Sequence, residues 1–231
     1  MNIKIISIVF IVVMQVMTSC IIYPHTVDIP LIEKKNDMRI DAGISVIPSA
    51  QATVSYGLTD KIAVQTFGSI GPDELYYIQG AVGRFKDLGN HKIMEIYGGF
   101  GSGYGSAYIH DNPGDLSGDY QLYFMQFNYG KNDCKFAHLD YGFGVKTGLL
   151  HSNLIDRNYY YGGYSAEVPY KTYLDNSFLI EPSVFVRLGG ERLKFKFQVG
   201  GCLLYKFTNT DRSLPYYPLN IGLGLNYRLK K

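Results

Sequence analysis

The stretch Ile221-Gly222-Leu223-Gly224-Leu225-Asn226-Tyr227-Arg228-Leu229 decides the fold. Large apolar residues occupy every second position, with Gly, Asn and Arg between them. That is the period of a β-strand with one oily and one polar face. The same alternation continues outward from it. Phe195, Phe197, Val199, Leu203 and Tyr205 stand against Lys194, Lys196 and Gln198, and Phe178, Ile180, Val184, Val186 and Leu188 against Glu181, Ser183 and Arg187. Further back, Leu139, Tyr141, Phe143 and Val145 alternate with His138, Asp140 and Lys146, and Ile40, Ile44 and Val46 with Arg39, Asp41 and Ser45. From Met38 onward no long stretch carries helical 3.6 spacing, so the chain reads as all-β.

Turn residues divide this region into ten candidate strands: 38–46, 50–58, 61–69, 75–85, 92–108, 120–129, 134–149, 177–188, 193–207 and 217–229. Tight turns are expected at Thr59-Asp60, Asp87-Leu88-Gly89-Asn90, Gly130-Lys131-Asn132-Asp133 and Gly189-Gly190-Glu191, at every second junction. The junctions between them are mostly longer, at 109–119, 150–176 and 208–216, with short ones near 47–49 and 71–74. Alternate junctions of an up-and-down barrel lie at one end, so one rim should carry short turns and the other long loops. Outer-membrane barrels have this asymmetry, with short periplasmic turns. Strand length agrees, because a membrane-spanning strand needs about 9–11 residues while strands in soluble proteins average about 5–6. The expectation is a single antiparallel up-and-down transmembrane β-barrel of about ten strands.

Periodicity does not say which face points outward. A soluble barrel that carries an apolar ligand hides its oily face, whereas a membrane barrel inverts the arrangement. Strand length, turn asymmetry and tyrosines near strand ends (Tyr76, Tyr77, Tyr129, Tyr205, Tyr227), where interfacial girdles lie, favour inversion. The lumen then receives seven basic residues, Arg39, Lys61, Lys146, Arg187, Lys194, Lys196 and Arg228, and four acidic ones, Asp41, Glu95, Asp140 and Glu181. In so narrow a space these charges are expected to pair into a salt-bridged plug, since buried charges need partners. The excess of cations leaves a narrow, anion-favouring pore as the alternative.

At the N-terminus Lys4 precedes the apolar residues 5–16 and then Met17-Thr18-Ser19-Cys20, the layout of a secretory signal too short to cross a bilayer as a helix. Thr18-Ser19-Cys20 resembles the lipobox of bacterial lipoproteins, which implies acylation of Cys20 and removal of residues 1–19. Residues 20–37, with Pro24, Pro30 and the charged run Glu33-Lys34-Lys35, show no sustained period and read as a tether. The barrel domain occupies 38–231, and the tether is expected to enter on the short-turn side, where an even strand count leaves both barrel ends.

Lys+Arg 22 against Asp+Glu 20 gives a net charge of +2, without the basic footprint of a nucleic-acid binder. The run Gly98-Gly99-Phe100-Gly101-Ser102-Gly103-Tyr104-Gly105 continues a strand and has no phosphate-loop spacing, so its glycines are read as relieving barrel curvature. His25, His91, His110, His138 and His151 lack metal-ligand spacing. The pairs His110-Asp111 and His151 with Asp156 fall in expected outer loops without a nucleophile beside them and read as solvated. No enzyme, metal or cofactor is therefore expected. Cys134 and Cys202 are not expected to be bonded to each other. The loop Asn158-Tyr159-Tyr160-Tyr161-Gly162-Gly163-Tyr164 suits a contact surface, because Tyr joins apolar area to a polar end; Tyr159, Tyr160, Tyr161 and Tyr164 are candidates for contact with an extracellular protein or glycan.

From residue 38 to residue 229 the chain resembles the small outer-membrane β-barrel proteins of Gram-negative bacteria, in a lipoprotein variant. The resemblance implies a bilayer as partner, an outer-membrane location after secretion, and a structural, adhesive or narrow porin-like role. A lipid-anchored soluble barrel holding an apolar ligand in the periplasm is the second reading, and an outer-membrane barrel enzyme the third.

Overall fold

The computed structural model describes residues 22–45, 49–72, 74–108, 114–134, 138–158, 170–208 and 214–229. The alternating segments form β1 (Met38–Ser45), β2 (Ser49–Gly57), β3 (Ile62–Ile70), β4 (Tyr76–Asp87), β5 (Lys92–Tyr108), β6 (Gly114–Cys134), β7 (Leu139–Asn158), β8 (Tyr170–Gly189), β9 (Leu193–Gly201), β10 (Leu203–Lys206) and β11 (Leu219–Leu229). β9 and β10 are two pieces of one barrel strand, interrupted at Cys202, for both pair with β8. β1 closes the sheet against β11, from Met38↔Leu229 to Ile44↔Leu223. The result is a closed antiparallel ten-strand barrel. Closure gives every barrel strand a partner on both sides over its lower part, and there is no helix among the described residues.

Several boundaries differ from those expected. β6 runs through the stretch Gly130 to Asp133 and reaches Cys134, with a register shift between Lys131 and Cys134. β6, β7 and β8 are 21, 20 and 20 residues long and absorb much of the stretches 109–119 and 150–176 that read as loops. Their extensions mix buried Leu116, Leu154 and Tyr173 with buried Ser152, Asp156 and Asp175 on the inward face. A face of mixed polarity carries no binary pattern for the eye to follow.

Through the lower part of the barrel, toward the short turns, the outward face is apolar and exposed: Tyr141, Phe143, Val184, Val186, Leu223 and Leu225 are among its members. The inward positions beside them are Asp140, Lys146, Glu181, Ser183, Arg187 and Asn226, all buried. This is the inverted arrangement of a barrel surrounded by hydrocarbon. Along β6 the two faces then exchange character. Outward, Tyr129, Phe127, Met125 and Tyr123 give way to Gln121, Asp119 and Ser117; inward, Asn128 and Gln126 give way to Phe124, Leu122, Tyr120 and Leu116. The exchange is in register across strands, since outward Tyr123, Leu149 and Phe178 pair in sequence and the next outward residues, Gln121, His151 and Asn176, do the same. Along β6, toward the long-loop rim, the wall is thus apolar inside and polar outside, as a barrel wall in water is.

One girdle residue is corrected. Tyr76 faces out, but its neighbour Tyr77 must take the opposite face of the strand. It is 2% exposed and stacks on Tyr120 with ring centroids 5.7 Å apart.

Candidate functional site

The inward side chains converge on the chain's own N-terminal segment. Residues 22–37, read above as an external tether, lie inside the barrel, and Ile22 through Ile32 are all buried. With Pro24 and Pro30 in it, this segment cannot add to the sheet as a regular strand. Its backbone is satisfied by the wall instead. The carbonyl of Thr26 accepts from Lys146 Nζ at 2.7 Å and Gln79 Nε2 at 3.3 Å, that of Val27 from Gln198 at 2.7 Å, and that of Asp28 from Gln126 at 2.7 Å and Gln65 at 3.1 Å. Arg187 donates to the carbonyls of Ile29 (2.5 Å) and Pro30 (3.4 Å), and Asn132 to that of Leu31 (3.0 Å). Glu181 and Glu95 serve the opposite polarity: the amide of Thr26 donates to Glu181 at 3.4 Å and that of Ile32 to Glu95 at 2.7 Å. Every carbonyl from Thr26 to Leu31 thus has a side-chain donor, which is what a buried backbone outside a sheet requires.

Side chains of the segment fit where the wall has none. A Cβ on Gly130 would stand 2.6 Å from Leu31 Cδ1, one on Gly144 would stand 2.9 Å from Ile29 Cδ1, and one on Gly57 would stand 3.1 Å from Ile32 Cγ2. These three wall glycines therefore leave room for the segment. In the Gly98-to-Gly105 run, Gly101 and Gly103 lie under the rings of Tyr77 and Tyr120.

Ionic contacts hold the end near the short turns. Arg228 binds Asp37 through two hydrogen bonds of 2.8 and 2.9 Å and Glu33 at 2.6 Å. Lys196 contacts Asp28 and, at 3.4 Å, Asp41; Arg187 lies 3.5 Å from Asp41. Lys194 bridges Asp133 (2.7 Å) and Asp140 (2.5 Å), while Arg39 lies 3.9 Å from Asp37 and 3.7 Å from Asp140. The end near the long loops is held by rings. Tyr23 packs edge-on to Tyr77 and Tyr120 at 6.2 and 5.5 Å, its hydroxyl donates to Glu181 at 3.3 Å, and the amides of Ile22 and Tyr23 donate to Pro215 O at 3.1 and 3.2 Å.

Ten of the eleven charges assigned to the lumen from sequence, namely Arg39, Asp41, Glu95, Asp140, Lys146, Glu181, Arg187, Lys194, Lys196 and Arg228, are at most 7% exposed inside the barrel. Lys61 is not among them: it is exposed in the turn before β3, and its backbone amide bonds Thr59 Oγ1 at 3.2 Å. Lys61 has the parity of inward Ala63 and Gln65 but precedes β3, which begins at Ile62, and so stands in solvent. Asp28, Glu33 and Asp37 complete the network from within the segment expected to be a tether. The alternation Val27-Asp28-Ile29-Pro30-Leu31 was the available signal, too short to stand out beside two prolines.

Beside Asp28, Asp41, Thr53, Lys196 and Gln198 remains a cavity of about 20 Å³, room for about one water. His151 is exposed and bonds Asn176 at 2.8 Å, whereas Asp156 is buried on the opposite face of β7, so the two do not meet. Cys134 and Cys202 are free thiols. No group of three metal-ligating side chains occurs among the described residues. Cys20, His110, Asp111, Tyr159, Tyr160, Tyr161 and Tyr164 lie outside the described residues.

No protein-family model and no curated protein matches the chain. Among solved structures it is similar to the N-terminal β-barrel domain of Pseudomonas aeruginosa OprF, with 14% identity, TM-score 0.33, and 84% of this chain and 98% of that one covered. It is also similar to the KdgM porin, with 10% identity, TM-score 0.39, and 84% and 99% covered. The functional reading rests on the geometry of this chain alone.

Proposed function

We propose that the chain is an outer-membrane β-barrel lipoprotein whose lumen is occupied by its own residues 22–37, and that its role is structural or adhesive, with the long-loop rim outward. The exchange of polarity along β6 carries the membrane reading. A strand that is oily outside and polar inside as far as Tyr123, then polar outside and apolar inside beyond it, suits a passage from hydrocarbon into water. The occupied lumen argues against the narrow porin-like role, since Lys146, Arg187 and Gln198, which could line a pore, are bonded to the segment's carbonyls. It argues equally against a soluble carrier, whose ligand space must be apolar and free. Acylation of Cys20 and a contact role for Tyr159, Tyr160, Tyr161 and Tyr164 belong to the same proposal. Purified full-length protein should run faster unboiled than boiled on a gel and show no stable conductance steps in a planar bilayer. Regular ohmic steps from that sample would restore the pore reading. A Cys20→Ala chain that stays soluble in buffer without detergent would end the membrane reading altogether.

A further inference from the structure

We infer that the barrel passes its own N-terminal segment through the lumen in the outward sense, so that the chain upstream of Ile22 emerges at the long-loop face, opposite the rim at which β1 begins. This rests on the membrane orientation proposed above, and it reverses the entry expected for a periplasmic tether. One end of the segment is at the long-loop rim. The amides of Ile22 and Tyr23 bind Pro215 in the connection between β10 and β11, Tyr23 bridges Tyr216, and the Ile22 backbone lies over Gly105 near the end of β5. The other end is at the short turns. Asn36 N donates to Gly57 O at 2.8 Å and Gly57 N to Asp37 O at 2.9 Å, beside the turn that joins β2 to β3.

The length fits a full crossing. Ten residue steps separate Ile22 from Ile32, and extended chain covers at most about 33–36 Å in that many, against about 30 Å of hydrocarbon. A segment that only linked β1 to a periplasmic anchor would leave the barrel at the short-turn rim and would have no use for the carbonyl donors that line the wall from Lys146 to Asn132. Those donors, and the glycines that seat Ile29 and Leu31, are placed for a chain lying along the whole lumen. Cys20 is two residues upstream of Ile22, within about 7 Å of it along the chain. An acyl group on Cys20 would therefore meet the leaflet on the long-loop side, and strand insertion and lipid anchoring would act on opposite ends of a single crossing.

The test uses three full-length chains with an epitope inserted after Ile21, in the turn Thr59-Asp60, or between Tyr161 and Gly162, each probed with antibody on intact and then permeabilised cells. The expected result is reaction on intact cells for the first and third insertions, and reaction only after permeabilisation for the second. An epitope after Ile21 that needs permeabilisation while the one at Tyr161 does not would overturn the threading and leave the barrel's orientation standing. If the Tyr161 site needs permeabilisation, the proposed orientation itself fails, and this inference with it. Should an insertion prevent folding, a Tyr23→Cys, Tyr216→Cys chain decides the matter. Mild oxidation in native membranes should join the two cysteines, identified by peptide mass, and the absence of that cross-link overturns the proposal.

Discussion

Replacing Asp28 by Asn and Lys196 by Met, singly and together, asks whether the N-terminal segment is bound in the lumen. Asp28 belongs to the segment and Lys196 to the barrel wall; both are buried and in contact. Removing one member of a buried ion pair strands the other and costs about 3–5 kcal/mol. Asp28→Asn leaves Lys196 with Asp41 at 3.4 Å, which places it near the lower figure of about 3 kcal/mol. Lys196→Met leaves the Asp28 carboxylate with the neighbouring amide of Ile29 at 3.0 Å and the Thr53 side chain, and with no ion-pair partner among the described residues, so a loss nearer about 5 kcal/mol is expected. In the double variant neither charge is stranded by the other's removal. Its loss should fall short of the sum by about 2 kcal/mol, within the usual range for residues in contact, or roughly 30-fold in the folding equilibrium. The measurement is urea unfolding of the full chain in detergent, with the folded fraction read from unboiled mobility. Strict additivity, or single losses below about 0.5 kcal/mol as for an exposed surface change, would show that Asp28 and Lys196 do not meet and that residues 22–37 are not where the wall's donors require them.

Two further perturbations probe the seat of the segment and the outward face. Gly144→Val should cost about 1–3 kcal/mol by overpacking against Ile29, and adding Ile29→Ala should recover part of that loss in the same urea assay, whereas independent sites would add. Leu223→Arg, on the exposed apolar face in the middle of β11, should cost about 2–4 kcal/mol in a bilayer, whereas Lys61→Glu at the exposed turn should stay within about 0.5 kcal/mol. Equal losses for these two in vesicle-reconstituted protein would contradict the assignment of the outward face to hydrocarbon.

The alternation in 221–229 and its repeats determined the strands and the sharing of one polar face by Arg39, Asp140, Lys146, Glu181 and Arg187, and the spacing of the turns determined the up-and-down order. Both are written locally in the chain, whereas the inward direction of that polar face rested on strand length, turn asymmetry and the tyrosines near strand ends. What occupies the lumen was decided only in three dimensions. Residues 22–37 have almost no regular hydrogen bonding of their own, and the partners that hold them, such as Glu181 for Thr26 and Arg187 for Ile29, lie 155 and 158 residues away in sequence. The full reach of β6, β7 and β8 was hidden for a related reason: toward the long loops their inward faces mix Leu116, Leu154 and Tyr173 with Ser152, Asp156 and Asp175, and a period read on one polarity loses its contrast there. A local pattern reports which side a residue takes, whereas the filling of a closed space depends on every strand that surrounds it.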